Sequence, residues 1–170
     1  MLNTIEITSV KIQKNGWLLN GNISVPDAPG NIEREAIKAW IAEGNIPEPE
    51  FTDAELLTQA KVSKLAEVTK IYNDSISALV GGTDKFELAS WTKQEAEARA
   101  YMTDNTIATP MLSGLAAARG LGETVTQLAN IIINKANAYE TAYANILGTY
   151  QAKQKAIDIA TTIEEIQAIN

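Results

Sequence analysis

The chain has 170 residues and contains neither cysteine nor histidine, which excludes disulfides, thiolate metal sites and any Ser-His-Asp or Cys-His catalysis built within it. At 45% hydrophobic and 21% charged residues it has the material for a packed core and lacks the composition of a disordered segment. Its net charge of -7, with no local Lys/Arg cluster, opposes association with phosphate backbones, so nucleic acid is not an expected partner.

No membrane partner is expected either. The most apolar short run, Ile131-Ile132-Ile133, is far shorter than the ~20 residues a bilayer requires. The opening Met1-Leu2-Asn3-Thr4-Ile5-Glu6 has no basic start and no apolar run, so no signal peptide is expected and synthesis and first residence in the cytoplasm follow. Aromatics are sparse at 6% and alanine is abundant after residue 90, a bias that favours closely packed helices.

Along the chain, the first 25 residues read as extended. Ile5, Ile7, Val10 and Ile12 lie in a β-branched stretch, followed by Asn15-Gly16, Trp17-Leu18-Leu19, Asn20-Gly21-Asn22 and Ile23-Ser24-Val25. Both Asn-Gly pairs are tight-turn signals because each residue tolerates positive φ. The reading is two or three short strands that need a helix or a partner to cover them. Val25-Pro26-Asp27-Ala28-Pro29-Gly30 is a rigid connector. Asn31 caps a helix carrying Ile32, Ala36, Ile37, Trp40 and Ile41, with Arg34 rather than Glu at the box position, and Gly44-Asn45 stops it. Ile46-Pro47-Glu48-Pro49-Glu50 then reads as a stiff acidic spacer that limits how tightly the N-terminal part docks back on the C-terminal helices.

A helix is expected from about Asp53 to Leu79, capped by Thr52 or Asp53. Its seam of Leu65, Val68, Tyr72, Ile76 and Leu79 suits a core helix or a short coiled coil, hence a homo-oligomer through 53–79. Gly81-Gly82-Thr83-Asp84 breaks it. Thr92-x-x-Glu95 reads as a capping box with Trp91 and Ala96 as its hydrophobic staple, and the helix ends near Asp104-Asn105. Thr109 and Pro110 start a short helix that stops at Gly120. The longest helix starts near Glu123 and carries Val125, Leu128, Ile132, Tyr139, Tyr143, Ile146 and Tyr150, with Gly148 as a point where it bends or breaks. Overlapping boxes at Thr161-x-x-Glu164 and Thr162-x-x-Glu165 start a last helix. The fold class is therefore mainly α (α+β): a small N-terminal β-hairpin or meander with a covering helix, then a C-terminal helical bundle. The corresponding regions are 1–50 (β-rich module), 51–83 (connecting helix) and 84–170 (bundle).

No catalytic, cofactor-binding or metal-binding residue is expected. Asp53 and Glu55, like Glu95 and Glu97, stand two apart on a helix and point in different directions, which makes neither pair an acid/base dyad. Glu164-Glu165 complements a helix dipole. Asp74 to Glu87 lacks the alternating ladder of a calcium loop. Gly81-Gly82 and Gly120-Leu121-Gly122 lack the Gly-Lys-Ser/Thr of a phosphate loop and read as helix stops. The partner-binding candidates are Trp17, Leu18 and Trp40, because aromatic side chains concentrate at interface hot spots, and Trp17 follows a turn. The N-terminal module is accordingly the expected docking end, with Trp17 and its strand edges facing a partner or a second copy.

Two stretches carry a resemblance. Gly16-Trp17-Leu18-Leu19-Asn20-Gly21 through Val25-Pro26-Asp27-Ala28-Pro29-Gly30-Asn31, and Ile37 through Glu50 (Ile37-Lys38-Ala39-Trp40-Ile41-Ala42-Glu43-Gly44-Asn45-Ile46-Pro47-Glu48-Pro49-Glu50), resemble a module of small phage and prophage proteins encoded near tail-fibre genes. Ile32-Glu33-Arg34-Glu35 and Ile46 depart from the usual pattern there. Phe86-Glu87-Leu88-Ala89-Ser90-Trp91, Gln94-Glu95-Ala96, Thr109-Pro110, Leu115-Ala116-Ala117-Ala118-Arg119-Gly120 and Thr161-Thr162-Ile163-Glu164-Glu165 are similar to the helical C-terminal domain, of unknown function, of phage tail-fibre-associated proteins. The resemblance implies a tail-fibre assembly or accessory protein that binds a tail-fibre or baseplate polypeptide, without chemistry of its own. Its place would be the host cytoplasm during assembly, or the virion tail. The alternative it implies is a structural virion component, part of a tail fibre or baseplate.

Overall fold

The computed structural model describes residues 5–170. The elements run β1 (Val10–Gln13), β2 (Gly16–Leu19), β3 (Ile23–Pro26), α1 (Ile32–Ala42), α2 (Asp53–Val80), α3 (Lys85–Thr103), α4 (Pro110–Arg119), α5 (Val125–Ile159) and α6 (Ile163–Gln167). The fold is mainly α with a small N-terminal antiparallel sheet, and 65% of it is helix. The leader reading falls in part on Met1–Thr4, outside the described residues. The chain divides into two compact units, Met1–Ala60 and Lys61–Asn170.

In the first unit the strands pair in sequence order, β1-β2-β3. The register sets Val10 opposite Leu19 and Leu19 opposite Ile23, and likewise Ile12, Trp17 and Val25. Strand side chains alternate faces, so these six residues share one face of the sheet. Val10, Leu19 and Val25 are buried there against Ile37 of α1, with Trp17, Trp40, Ile41, Ile5 and Ile7 packed around them. The first turn differs from the sequence reading by one residue. Gln13 pairs with Gly16, so the loop is Lys14-Asn15 and Gly16 belongs to β2. There a Cβ would stand 2.0 Å from the Val25 carbonyl oxygen, and only glycine fits.

The Ile46–Glu50 segment is not a free spacer. Glu48 bridges to Lys11 in parallel fashion, with Ile12 N–H donating to the Glu48 carbonyl and Glu48 N–H to the Val10 carbonyl, both at 2.8 Å. The proline-rich run thus covers the outer edge of β1, and the first compact unit continues through Ala60.

The second unit is built on two antiparallel layers. Lys61 Nζ donates to the Asp158 carbonyl (2.7 Å) and Thr69 Oγ1 lies 3.2 Å from the Tyr150 hydroxyl. Tyr72 stacks on Tyr150 at 4.5 Å, Trp91 meets Tyr139 edge to face, and Arg99 donates to Asn137. As numbers rise through α2 and α3 they fall along α5, so the two shorter helices follow one another along the long one. A third element covers this pair near its ends. Leu112 of α4 is buried with Ala98, Leu128 and Ala129, and Ile166 of α6 is buried, as are Ile157 and Ala160. Between these ends, from Asn130 to Ala156, no α5 residue is fully buried.

Several helix starts differ from expectation. α3 begins at Lys85, with Asp84 as its cap accepting from the Phe86 N–H, so Thr92 and Glu95 are mid-helix. Nothing between Lys85 and Trp91 breaks a helix, and the Gly81-Gly82 break leaves Asp84 as the first good cap. α5 is capped by a Thr124–Gln127 box and runs through Gly148 without interruption; the i−4 ladder on both sides outweighs a glycine cost of ~1 kcal/mol. The Thr162–Glu165 box starts α6, while Thr161 donates to Glu165 rather than pairing with Glu164.

Candidate partner-binding surface

The three residues singled out from sequence do not form one surface. Trp17 and Trp40 are both half-buried and pack on the same core from the sheet and from α1. Leu18 pairs with Lys11 and Ser24 on the opposite face of the sheet, half-buried. The indoles therefore supply core area, and Leu18 alone of the three lies on the face away from α1.

The sheet's remaining edge, β3, is poorly made for adding a strand. Asp27 N–H donates to the Asn15 carbonyl, so by alternation Ile23 and Val25 also face β2 while Ser24 and Pro26 point outward. Pro26 has no N–H to offer, and its carbonyl is taken by Ala28 N–H at 2.8 Å. Ser24 is left as the only outward residue of the strand with both groups, a blunted edge.

Two polar side chains that sequence reading treated as local signals hold distant segments. Asn20, at φ 50, accepts from the N–H groups of Thr8 (2.8 Å) and Ser9 (3.2 Å) and from the Thr8 hydroxyl, and donates to the Glu6 carbonyl. Arg34, read only as an absent capping glutamate, reaches Asp27 and Glu35 at 2.6 Å each, tying the proline connector to α1. Its guanidinium hydrogen bond holds the Asp27 carboxyl below the usual range. Asn31 caps α1 as the sequence implied, accepting from Arg34 N–H.

What the first unit presents outward is the pinned segment after α1. Ile46 is 87% exposed, and Phe51 and Leu56 are more than a third exposed. From Glu43 to Glu55 the chain carries five acidic residues and no basic one. The unit Met1–Ala60 holds nine acidic and four basic side chains, so it carries -5 of the chain's -7. An apolar side chain held between acids on a fixed backbone suits a partner that offers an apolar pocket rimmed by lysine or arginine. Ile46 was legible as an apolar residue between Asn45 and Pro47 with no helical partner at three or four residues; its exposure was not.

The perturbed carboxylates in the second unit have structural explanations. Glu97 is 6% exposed and its Oε2 accepts from the Met111 and Leu112 N–H groups at 2.9 and 3.1 Å. It caps α4 from a neighbouring helix, since Thr109 makes no side-chain cap bond and pairs with Ser113. Burial works against its charge, but the Leu112 and Met111 amides and Lys93, 3.2 Å from Oε1, outweigh it and keep the carboxyl below its ordinary range. Asp104 is lowered by Thr106, and Glu165 by Thr161 and Thr162. Glu55, in the first unit, is lowered by Thr52, whose cap box starts α2. Among the described residues no group of three or more carboxylates converges as a metal site requires, and no helix is long and apolar enough to cross a membrane. No protein-family model matches the chain, and no curated protein or solved structure is significantly similar to it.

Proposed function

We propose that this chain is a bacteriophage tail-fibre assembly or accessory protein that binds a tail-fibre or baseplate polypeptide through its N-terminal unit and carries out no chemistry. The observation that carries the reading is the segment Ile46–Phe51. Its backbone is fixed on β1 through Glu48, its apolar side chains face outward, and acids surround it. A preordered segment binds without the cost of ordering it first. The resemblance of Gly16–Asn31 and Ile37–Glu50 to phage modules points to the class of partner, a tail-fibre or baseplate polypeptide. The non-enzymatic part rests on the shifted carboxylates, each of which is lowered by hydrogen bonds to a helix cap, to the turn residue Thr106 or to an arginine.

Co-purification tests this reading. The full chain, co-expressed with a phage tail-fibre polypeptide, is expected to co-purify with it. The Ile46→Asp, Phe51→Asp double variant is expected to lose the complex; Ile46 is 87% exposed but Phe51 only 38%, so circular dichroism checks that the variant folds as the parent does, and Ile46→Asp alone is expected to weaken the complex. Retention of the complex by the folded double variant would remove this surface from the account. Absence of any complex with the parent chain would remove the function.

A further inference from the structure

We infer that α4 is a detachable cover latched by one carboxylate: Glu97 of α3 holds it on the α3–α5 pair, and loss of the Glu97 charge releases α4 as one piece while α3 and α5 stay folded. Alone, α4 has little to keep it helical. It is 10 residues long, shorter than the ~12–15 at which an isolated helix persists in water, and Gly114 in its middle weakens it further. Thr109 makes no side-chain cap bond. Both joins to the rest of the unit are non-helical, 104–109 on one side and 120–124 on the other, where Gly120 and Gly122 take left-handed φ values of 62 and 68.

The first turn of α4 can be accounted for donor by donor. Pro110 has no N–H. Ser113 N–H already reaches the Thr109 carbonyl at 2.8 Å. Met111 and Leu112 carry the two amides left over, and Glu97 Oε2 accepts from both, at 2.9 and 3.1 Å. The other oxygen, Oε1, lies 3.2 Å from Lys93 Nζ. Each oxygen thus faces donors. A proton on Oε2 displaces the amides outright; a proton on Oε1 displaces Lys93 and leaves the amides an uncharged, weaker acceptor.

No neighbouring charge can take over. The one charged residue of α4 is Arg119, at its far end and 3.0 Å from Glu123. On α5 no residue from Val125 to Asn134 is charged. On α3, Glu95 and Arg99 pair with each other at 2.6 Å, Tyr101 packs against the core, and Asp104 beyond it is taken by Thr106. Burial opposes the Glu97 charge, but Leu112, Lys93 and Met111 outweigh it and hold the carboxyl below its ordinary range. The latch is therefore closed at neutral pH and opens as pH falls through that lowered value. What it uncovers is apolar, since Leu112 is buried against Ala98, Leu128 and Ala129. The pair beneath has its own ties: the Thr124–Gln127 box of α5, the Arg99–Asn137 bond and the Trp91–Tyr139 contact.

Native-state hydrogen–deuterium exchange of the full chain, read by peptide mass spectrometry, tests this. At neutral pH the α4 amides of Glu97→Gln are expected to exchange about ten-fold faster than those of the parent chain, while α3 and α5 keep the parent rates. A second measurement uses the parent chain alone. Its α4 protection, corrected for the intrinsic pH dependence of exchange, is expected to fall between about pH 6 and about pH 3, ahead of α3 and α5. A dye that binds apolar surface should gain fluorescence over the same range, and Glu97→Gln should show neither step. Parent-like α4 exchange in Glu97→Gln, or loss of α4 protection only together with α3 and α5 in either chain, overturns the inference.

Discussion

The two units are held by different kinds of information. In Met1–Ala60 the strands are four residues each, too short to persist alone, and the core of Val10, Leu19, Val25 and Ile37 exists only when the register is right. Single residues carry that register: Gly16 against the Val25 carbonyl, Asn20 holding Glu6 to Ser9, Glu48 laddered to β1. In Lys61–Asn170 the starts of α3, α5 and α6 are capped by their own leading residues, and stability is spread over many half-buried side chains. The first unit should therefore fail at a few points, while the second should weaken gradually. A small sheet unit gains a rigid exposed segment from this arrangement, and a long thin helical one gains surface.

The sharpest break is expected from Gly16→Ala. A methyl 2.0 Å from a backbone carbonyl has no flexible side chain to displace, so the strands must separate, at about 3 kcal/mol. Near-ultraviolet circular dichroism should lose the contribution of Trp17 and Trp40 and keep that of Trp91, packed on Tyr139 in the second unit, while the far-ultraviolet helix signal largely persists. If the near-ultraviolet spectrum is unchanged, the register described for β2 and β3 is wrong.

Glu97→Ala is the corresponding test in the helical unit. It strips two α4 amides of a charged acceptor in a buried place and is expected to cost about 2 kcal/mol, read by urea denaturation. Glu97→Gln should recover part of the loss, since the amide oxygen still accepts. Asn20→Ala removes the ties to Glu6, Thr8 and Ser9 and leaves an alanine at positive φ; a cost of about 1.5 kcal/mol is expected. Thr124→Ala, which opens the α5 cap box, should cost about 1 kcal/mol. A larger loss from Thr124→Ala than from Asn20→Ala would reverse the contrast between the units.

Acid should act mainly through the depressed carboxylates. Glu97, Asp104 and Glu165 titrate lower in the folded chain than their ordinary values. A depressed carboxyl contributes stability that is present above its unfolded pKa and is lost as pH falls through the folded one. The thermal midpoint should thus be nearly flat above about pH 5 and fall below about pH 4.5. With Glu97→Gln the fall should be shallower; an identical acid limb would mean that Glu97 is not the group responsible.

Most of the helical architecture was legible because its signals are local. Pro110 after Thr109, the stop at Gly120 and the Thr162–Glu165 box depend on residues a turn apart. The sheet was legible through its two Asn-Gly pairs, although Gly16 turned out to serve a close backbone approach rather than the turn itself. The α3 start was misplaced because Thr92-x-x-Glu95 satisfies the local pattern of a cap, while Asp84 upstream satisfies it first. The Glu97 cap on α4, the Asn20 ties and the Glu48 bridge were not legible, since each joins residues far apart in sequence. The same reason separates Trp17 and Trp40 from Ile46 as candidate contacts: residue type marks an aromatic as valuable, but only the fold says which side of the sheet it faces.

The proposal that this chain binds a tail-fibre polypeptide and assists its assembly is tested most directly by the yield of soluble fibre. A phage tail-fibre polypeptide would be expressed alone, with the parent chain, and with the Ile46→Asp, Phe51→Asp variant. A several-fold rise in soluble fibre with the parent chain and none with the variant is the predicted result. Equal soluble fibre in all three, with no complex recovered, would contradict the account; a stable stoichiometric complex without any gain in yield would instead favour a structural part of the tail.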